Sequence, residues 1–555
     1  MAARRAVSVL VIAVSMLGGQ LLATEPTPAV AAGGTPILAA DYFGIANPLN
    51  FWSSDISGAS SAFRTMKADG FSTVALVLPW GEFETGIRPI RFNSDAFSRL
   101  DTLIRTAAHV HMGVILRLGY EFDIDPADQM PTVNRVEAAY AGGPAYRAWL
   151  AYISKVHENV AGFSNVRMAY ISWEDLSYPI QVAQELSGPL AVQLAGTIGF
   201  QTWLKGNHSL PSINSLYGTH FTSWSQVPTP PSASPAFRLM YEYQDWALVH
   251  HFFDAAQRRF PGLTMETRVD VDPLYSGSQV VGSYAHDSEY RLPGTSVTGI
   301  YFSPYMGDPS SAQEETAPEA LTALETTLHR MASLSGGRPL FIYEYEIASN
   351  SPAVNNDPSL TPSQVGPFVE QSGPVLRKYT KGYALWTYRD FNMSGVYNPS
   401  FSLGFAGWAH SGVATTVEPK RGRSFVLLGS GGAVSQTVSP GNIVLPPGAP
   451  VTLSLDASSS TASGSSLHVT VGEADSQSIS LQRGWNSYSF QIPQSALGNG
   501  KVVIQSSGPS AVSDVQLYAF TQQGDVYSNT GGAEVAVGPL TTLNHQLLSK
   551  QDPSS

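Results

Sequence analysis

Several apolar runs in this chain end in side chains that could do chemistry. One run closes on Trp173, Glu174 and Asp175 in ISWEDLSY, and another closes on Glu344 and Glu346 in PLFIYEYEI. Further runs close on Trp80 and Glu82, on Arg117, Tyr120 and Glu121, near Arg268 and Asp270, on Tyr301 and Tyr305, and on Trp386 and Arg389. A carboxylate at the end of a buried apolar run is costly unless it is paired or hydrogen-bonded, so acids at several such ends point to one shared polar cup. Aromatic rings beside them offer flat apolar faces that suit the C–H faces of sugar rings. Carboxylates and aromatics around a water-accessible mouth are what cleavage of a glycosidic bond requires. One acid protonates the leaving oxygen, and one carboxylate attacks the anomeric carbon or activates water.

Elements that could bring these ends together follow from the hydrophobic pattern. Between 36 and 394, short β-branched apolar runs alternate with longer helical patterns, the signature of βα units around a parallel sheet. Strands are predicted at 40–46, 72–78, 112–118, 166–172, 263–269, 297–303, 339–345 and 382–388. Helical three-and-four spacing runs through 59–68, 95–108, 146–160, 241–260 and 317–333. Eight strands over this length predict an α/β fold, a (β/α)8 TIM barrel with a long insertion after strand four, whose reactive groups lie at the strand C-termini. An open doubly wound sheet is the alternative, but the Gly-rich phosphate turn expected after its first strand is missing.

Carboxylates closing strands four and seven resemble the pattern of clan A glycoside hydrolases, and RPLFIYEYEIAS looks like that clan's strand seven. The resemblance implies a retaining enzyme with Glu174 as acid/base and Glu344 as nucleophile, and it places Glu346 where the clan usually has Gly. Strand alternation puts Glu344 and Glu346 on one face, so the choice between them stays open. PWGEFETG with the following FSRLDTLIRTAAHVHMGVILRLGYEFD is similar to families 35 and 42, the β-galactosidase families, and FQTWLKGNHSLPSINSLYGTHFTSWSQVP resembles family 42. Trp80, Tyr120, Glu121, Trp173, Glu346 and Trp386 are the expected substrate contacts. Tyr305 resembles the strand-six Tyr that hydrogen-bonds the nucleophile, and Arg117 either orients the nucleophile or balances Glu121. The clan usually has Asn before its acid/base, whereas this chain has Trp173, so contact with the sugar 2-hydroxyl is expected to differ.

The remaining features bound the setting. Arg4 and Arg5, the apolar run 6–17 and the small residues 29–32 have the layout of an export signal over 1–32, implying a secreted, periplasmic or cell-surface protein without a membrane span once the signal is removed. With no cysteine, stability rests on the core, and a net charge of -12 argues against a nucleic-acid partner. No motif calls for a cofactor, and His109 with His111 precede strand three at the far end from the mouth, which argues against a metal there. Residues 395–525 alternate with period two between turn residues and predict an antiparallel, jelly-roll-like β-sandwich. Its opening NPSFSLGFAGW, ending at Trp408, resembles the start of carbohydrate-binding modules, and Trp485 and Tyr488 are candidate binding aromatics; a sandwich that only packs on the barrel is the alternative. Residues 526–555 read as a loosely ordered tail. The expected partner is a poly- or oligosaccharide, and the rival to an enzyme is a polysaccharide-binding or assembly protein on an inactive barrel.

Overall fold

The computed structural model describes residues 35–120, 132–267, 271–291, 298–302, 314–338, 340–347, 359–418, 423–439, 443, 445–446, 448–459, 464–473 and 477–549. The expected export signal, Glu121, Arg268, Asp270 and Tyr305 lie outside them.

Eight parallel strands close into a barrel: β1 (Ile37–Asp41), β2 (Thr73–Pro79), β3 (Gly113–Tyr120), β4 (Val166–Ser172), β5 (Thr264–Thr267), β6 (Thr298–Phe302), β7 (Leu340–Tyr345) and β8 (Thr380–Leu385). Every strand neighbours the next in sequence, and β8 pairs with β1 through Ile37 and Gly382. β2 reads TVALVLP and is buried throughout because it is covered on both faces, as a parallel strand must be. Small Ala39, Ala75 and Ala384 interdigitate inside the barrel with large Tyr170, Phe341 and Tyr343. Tyr343 stacks on Tyr170 with ring centroids 3.8 Å apart, filling the floor beneath the strand ends.

Outer helices follow from caps and spacing. The helix Ser94–His109 starts where the Asn93 side chain accepts from the Asp95 and Ala96 amides, and it buries Phe97, Leu100, Leu103, Ile104 and Ala107. Full burial of each large aliphatic or aromatic side chain there is worth about 1.5–3 kcal/mol. Thr316 and Glu319 form a reciprocal capping box on the helix Ala317–Leu334. The insertion after β4 is helical, from Tyr178–Glu185 to Asp254–Arg259. No helix among the described residues is long and apolar enough to cross a membrane.

One irregularity bears on the chemistry. Ile300 pairs with Ile342 but Tyr301 pairs with Glu344, so β7 carries an extra residue, Tyr343, against β6. Phe341 and Tyr343 already point into the barrel, and strict alternation would send Glu344 outward. The bulge turns it inward instead.

The C-terminal region is a sandwich of two five-stranded antiparallel sheets. Val451–Ser459 buries every second residue, and the two inner faces meet over Val426, Leu453, Leu455, Val469, Ile504 and Val512. Trp408 belongs to this core and donates its Nε1–H to the Asn398 carbonyl at 3.0 Å, which makes it a packing residue. Trp485 is exposed on one side, with the Arg423 guanidinium 5.0 Å above its ring, and the Tyr488 hydroxyl accepts from the Gln482 amide at 3.2 Å.

The expected loose tail is corrected over 526–549. Phe391–Asn392 pairs with Thr521–Gln522, and the chain then returns to the barrel as the helix Val537–Leu548. Leu540, Leu543 and Leu547 repeat every three or four residues and are buried against the barrel core. Asn544 accepts from the Tyr383 hydroxyl at 2.5 Å and donates to the Asp69 carbonyl at 2.9 Å.

Candidate active site

Arg117, on β3, is the centre of the cup. It follows Ile115 on the inward face by two residues, and its guanidinium is buried. Nε and Nη2 donate to the two oxygens of Asp175 at 2.9 and 3.0 Å, a bidentate pair. Nη2 also donates to Glu174 Oε2 at 3.0 Å and to Ser172 Oγ at 3.3 Å, while Nη1 donates to Glu344 Oε1. The cup therefore holds Glu174 and Glu344 on neighbouring nitrogens of one cation. The Tyr120 ring lies 5.1 Å from the guanidinium carbon and walls the cup on that side.

The two glutamates differ in environment. Glu174 opens a short 3-10 turn after β4, its amide bonded to Ser172 Oγ at 3.1 Å, and its side chain is 55% exposed. Glu344 is only 5% exposed. Burial holds its carboxyl well above the usual carboxylate range, Arg117 opposes that, and the charges of Glu266, Glu174 and Glu346 add to it. Glu346 is buried just beyond β7 and near enough to act on Glu344, but Arg117 takes its carboxylate partners from Asp175, Glu174 and Glu344.

Two cup acids escape the strand-end reading. Glu266, at the end of β5, accepts from the Ser172 hydroxyl, and burial pushes its carboxyl up to about 7, against the pull of Arg117 and that hydrogen bond. Asp41 ends β1, and burial pushes it up to about 8, again against Arg117. The available signal was an acid closing ILAAD and another two residues after inward Thr264 in TMET. Raised carboxyls at Asp41, Glu266 and Glu344 limit the negative charge gathered around the cation Arg117.

Asp175 is the bidentate anchor that orients Arg117. Trp386 is half-buried at the end of β8, edge-on to Phe43 at 5.4 Å. Trp173 is half-buried beside Glu174. Trp80 is a correction: it is fully buried in the short helix Trp80–Phe83, with the Arg135 guanidinium carbon 5.8 Å from its ring, so it offers no face to a substrate. Trp52 is likewise core, donating to the Val77 carbonyl at 2.8 Å.

Behind Trp173 sits a buried ionic cluster. His286 Nδ1 is 2.5 Å from Asp245 and Nε2 is 2.8 Å from Asp272, an arrangement that satisfies both nitrogens as donors and pushes the imidazole up to about 10, carboxylate attraction outweighing desolvation. Its ring meets Trp173 edge-on at 6.1 Å and Tyr284 at 5.1 Å. Asp245, His286 and Glu289 have metal-ligand composition, with ligand atoms within 4.8 Å of one another. An imidazolium has no lone pair to give a metal, so the contacts fit a proton clamp better. His109 and His111 lie on the surface at the far end of β3, and His109 bonds to the Arg105 carbonyl at 2.7 Å.

No family model matches the chain, and comparison with curated proteins gives no match. Among solved structures, the chain is similar to a family 42 β-galactosidase from G. stearothermophilus, at TM-score 0.45 and 16% identity over 65% of this chain and 52% of that one. It is also similar to the β-amylase catalytic domain of Paenibacillus polymyxa, at TM-score 0.43 and 15% identity over 64% and 93%, and to the endo-1,4-β-mannanase of Rhizomucor miehei, at 0.39 and 12% over 66% and 89%. The chain thus spans about half the length of the β-galactosidase. The fold and site define a (β/α)8 barrel with a carboxylate cup at the C-terminal ends of its strands.

Proposed function

We propose that this protein is a retaining O-glycoside hydrolase that leaves the cell by its N-terminal signal and cleaves a poly- or oligosaccharide. One observation supports the reading above all others: Arg117 binds both Glu174, which is open to solvent, and Glu344, which is not. In double displacement, the Glu344 carboxylate attacks the anomeric carbon while Glu174 protonates the leaving oxygen. Glu174 then deprotonates the water that releases the sugar with retained configuration. Arg117 favours the ionised form of Glu344 that attack needs, and Asp175 keeps the guanidinium aimed. Burial keeps Asp41 protonated, whereas the charge of Glu266 adds to burial in resisting the ionisation of Glu344, and Arg117 is the group that opposes both. Trp386 and Trp173 supply faces for the sugar rings, with Tyr120 as the side wall. The motifs that resemble families 35 and 42 favour a β-galactoside-like substrate, and Trp173 marks where its 2-hydroxyl contact differs.

The low exposure of Glu344 favours one rival, an inactive barrel that binds saccharide without cutting it. A panel of chromogenic aryl β-glycosides separates the two. Hydrolysis by the parent chain, lost in both Glu344→Gln and Glu174→Gln, with the β-anomer released first by NMR, is the expected result. Hydrolysis surviving Glu344→Gln removes it as nucleophile, and a chain that cleaves nothing but binds oligosaccharide supports the rival.

A further inference from the structure

A cavity of about 480 Å³ lies where the barrel meets the sandwich, within the range of about 300–1,000 Å³ that small-molecule sites occupy. Of the cup residues Asp41 lines it, whereas Arg117, Glu174, Glu266 and Glu344 do not. The loop after β1, the helix Ala59–Ala68, the chain after β8 and the sandwich each contribute a wall. Domain junctions of this kind are where ligand sites concentrate.

Two polar groups in the lining have hydrogen-bonding capacity that the fold does not use. Tyr42 is 6% exposed, yet its hydroxyl makes no hydrogen bond among the described residues. Tyr42 lines the cavity, so its hydroxyl is open to a ligand there. Arg389 spends Nε on the Ser528 carbonyl at 3.1 Å, but no carboxylate among the described residues lies in ion-pair range of its guanidinium. Tyr42, Asp55 and Arg389 line the same cavity. Across the cavity, Arg423 is already paired with Asp514 at 3.4 Å and Asp456 at 2.5 Å.

The charges choose the ligand. Two guanidiniums, Arg389 and Arg423, face three carboxyl groups, Asp41, Asp55 and Asp514, of which Asp41 is kept protonated by burial, so the lining has no net sign with which to recruit an ion. It has donors, acceptors and the ring of Tyr388 around a chamber of ligand size, a combination that suits vicinal hydroxyls on a C–H framework. We propose that this interdomain cavity is a second binding site that takes a neutral sugar unit, with the Tyr42 hydroxyl, the Arg389 guanidinium and the Asp55 carboxylate holding its hydroxyls. The choice of a sugar over other polyols rests on the glycosidase reading, whereas the existence of a site does not. Because the sandwich supplies one wall, its part in binding is to complete this chamber.

The test uses the full chain carrying Glu344→Gln, titrated calorimetrically with neutral β-1,4-linked tetrasaccharides of glucose, mannose, xylose and galactose. Two sites per chain are expected for at least one of them. Adding Tyr42→Phe, which removes only the hydroxyl, should weaken one site roughly fivefold to tenfold. Adding Ser61→Trp, which fills the cavity from its exposed rim, should abolish that site and leave the other. In the otherwise unaltered chain, both substitutions should leave aryl-glycoside hydrolysis unchanged, so loss of the cavity site and failure of the glycosidase reading register separately. A single site in the parent, two sites indifferent to both substitutions, no binding at millimolar concentration, or tighter binding of tetragalacturonate at the cavity each overturns the assignment.

Discussion

Replacing Asp41 by Asn should make the protein more stable, increasingly so as pH rises. Asp41 ends β1 inside the cup with Oδ2 lacking a hydrogen-bond partner among the described residues, and burial lifts its pKa from the ordinary 3.8 to about 8. Native Asp41 therefore holds its proton until about pH 8, whereas the unfolded chain releases it near pH 4. A raised native pKa gives stability that is complete below the unfolded value and is lost as pH climbs through the folded one. Each unit of separation is worth about 1.4 kcal/mol, so between pH 5 and pH 8 the wild type should lose roughly 4 kcal/mol that the isosteric, neutral Asn retains. Urea unfolding of both proteins at pH 5, 7 and 9 measures this directly. The gap should widen in favour of Asp41→Asn by a few kcal/mol across the series. Parallel pH profiles would refute the reasoning, because they would mean Asp41 is ionised in the native cup.

Other consequences follow from the same contacts. Arg117→Met should destabilise by about 3–5 kcal/mol, since it strands Asp175 and Glu344, and glycoside cleavage should fall below detection; chemical denaturation and the aryl-glycoside assay check both. His286→Gln should cost at most roughly 5 kcal/mol at pH 6, and the deficit should shrink as pH rises from about 6.5 towards 10, where wild-type His286 loses its own proton. Measured by urea unfolding, a pH-independent deficit would show that the clamp holds a neutral ring. Leu543→Ala in the C-terminal helix should lower stability by about 2–5 kcal/mol, a result a loose tail would not give.

How much of this was legible in the sequence varied with the physics of each part. All eight barrel strands announced themselves, because a parallel strand covered on both faces needs an unbroken apolar run, as STVALVL and MGVILRL show. Arg117, Glu174 and Glu344 were legible as polar ends of such runs. Asp41 and Glu266 were not, because the strand-like pattern runs on past both acids, to 46 and 269, while the strands themselves end at Asp41 and Thr267. The bulge at Tyr343 cannot be read from alternation, since it is the break in alternation that turns Glu344 inward. Leu540, Leu543 and Leu547 did carry a helical period, masked by the polar composition around them. Trp80 shows the converse limit: a strand-end aromatic has the same sequence signature whether it faces the mouth or the core.

Trapping the covalent intermediate tests the central claim most directly. The protein would be incubated with a panel of 2-deoxy-2-fluoro-β-glycosides bearing a dinitrophenyl leaving group, then digested and mapped by mass spectrometry. One fluorosugar ester per chain, on Glu344, is the expected result. An ester on Glu346 or Glu266, or turnover that releases the inverted sugar with no adduct, would contradict it.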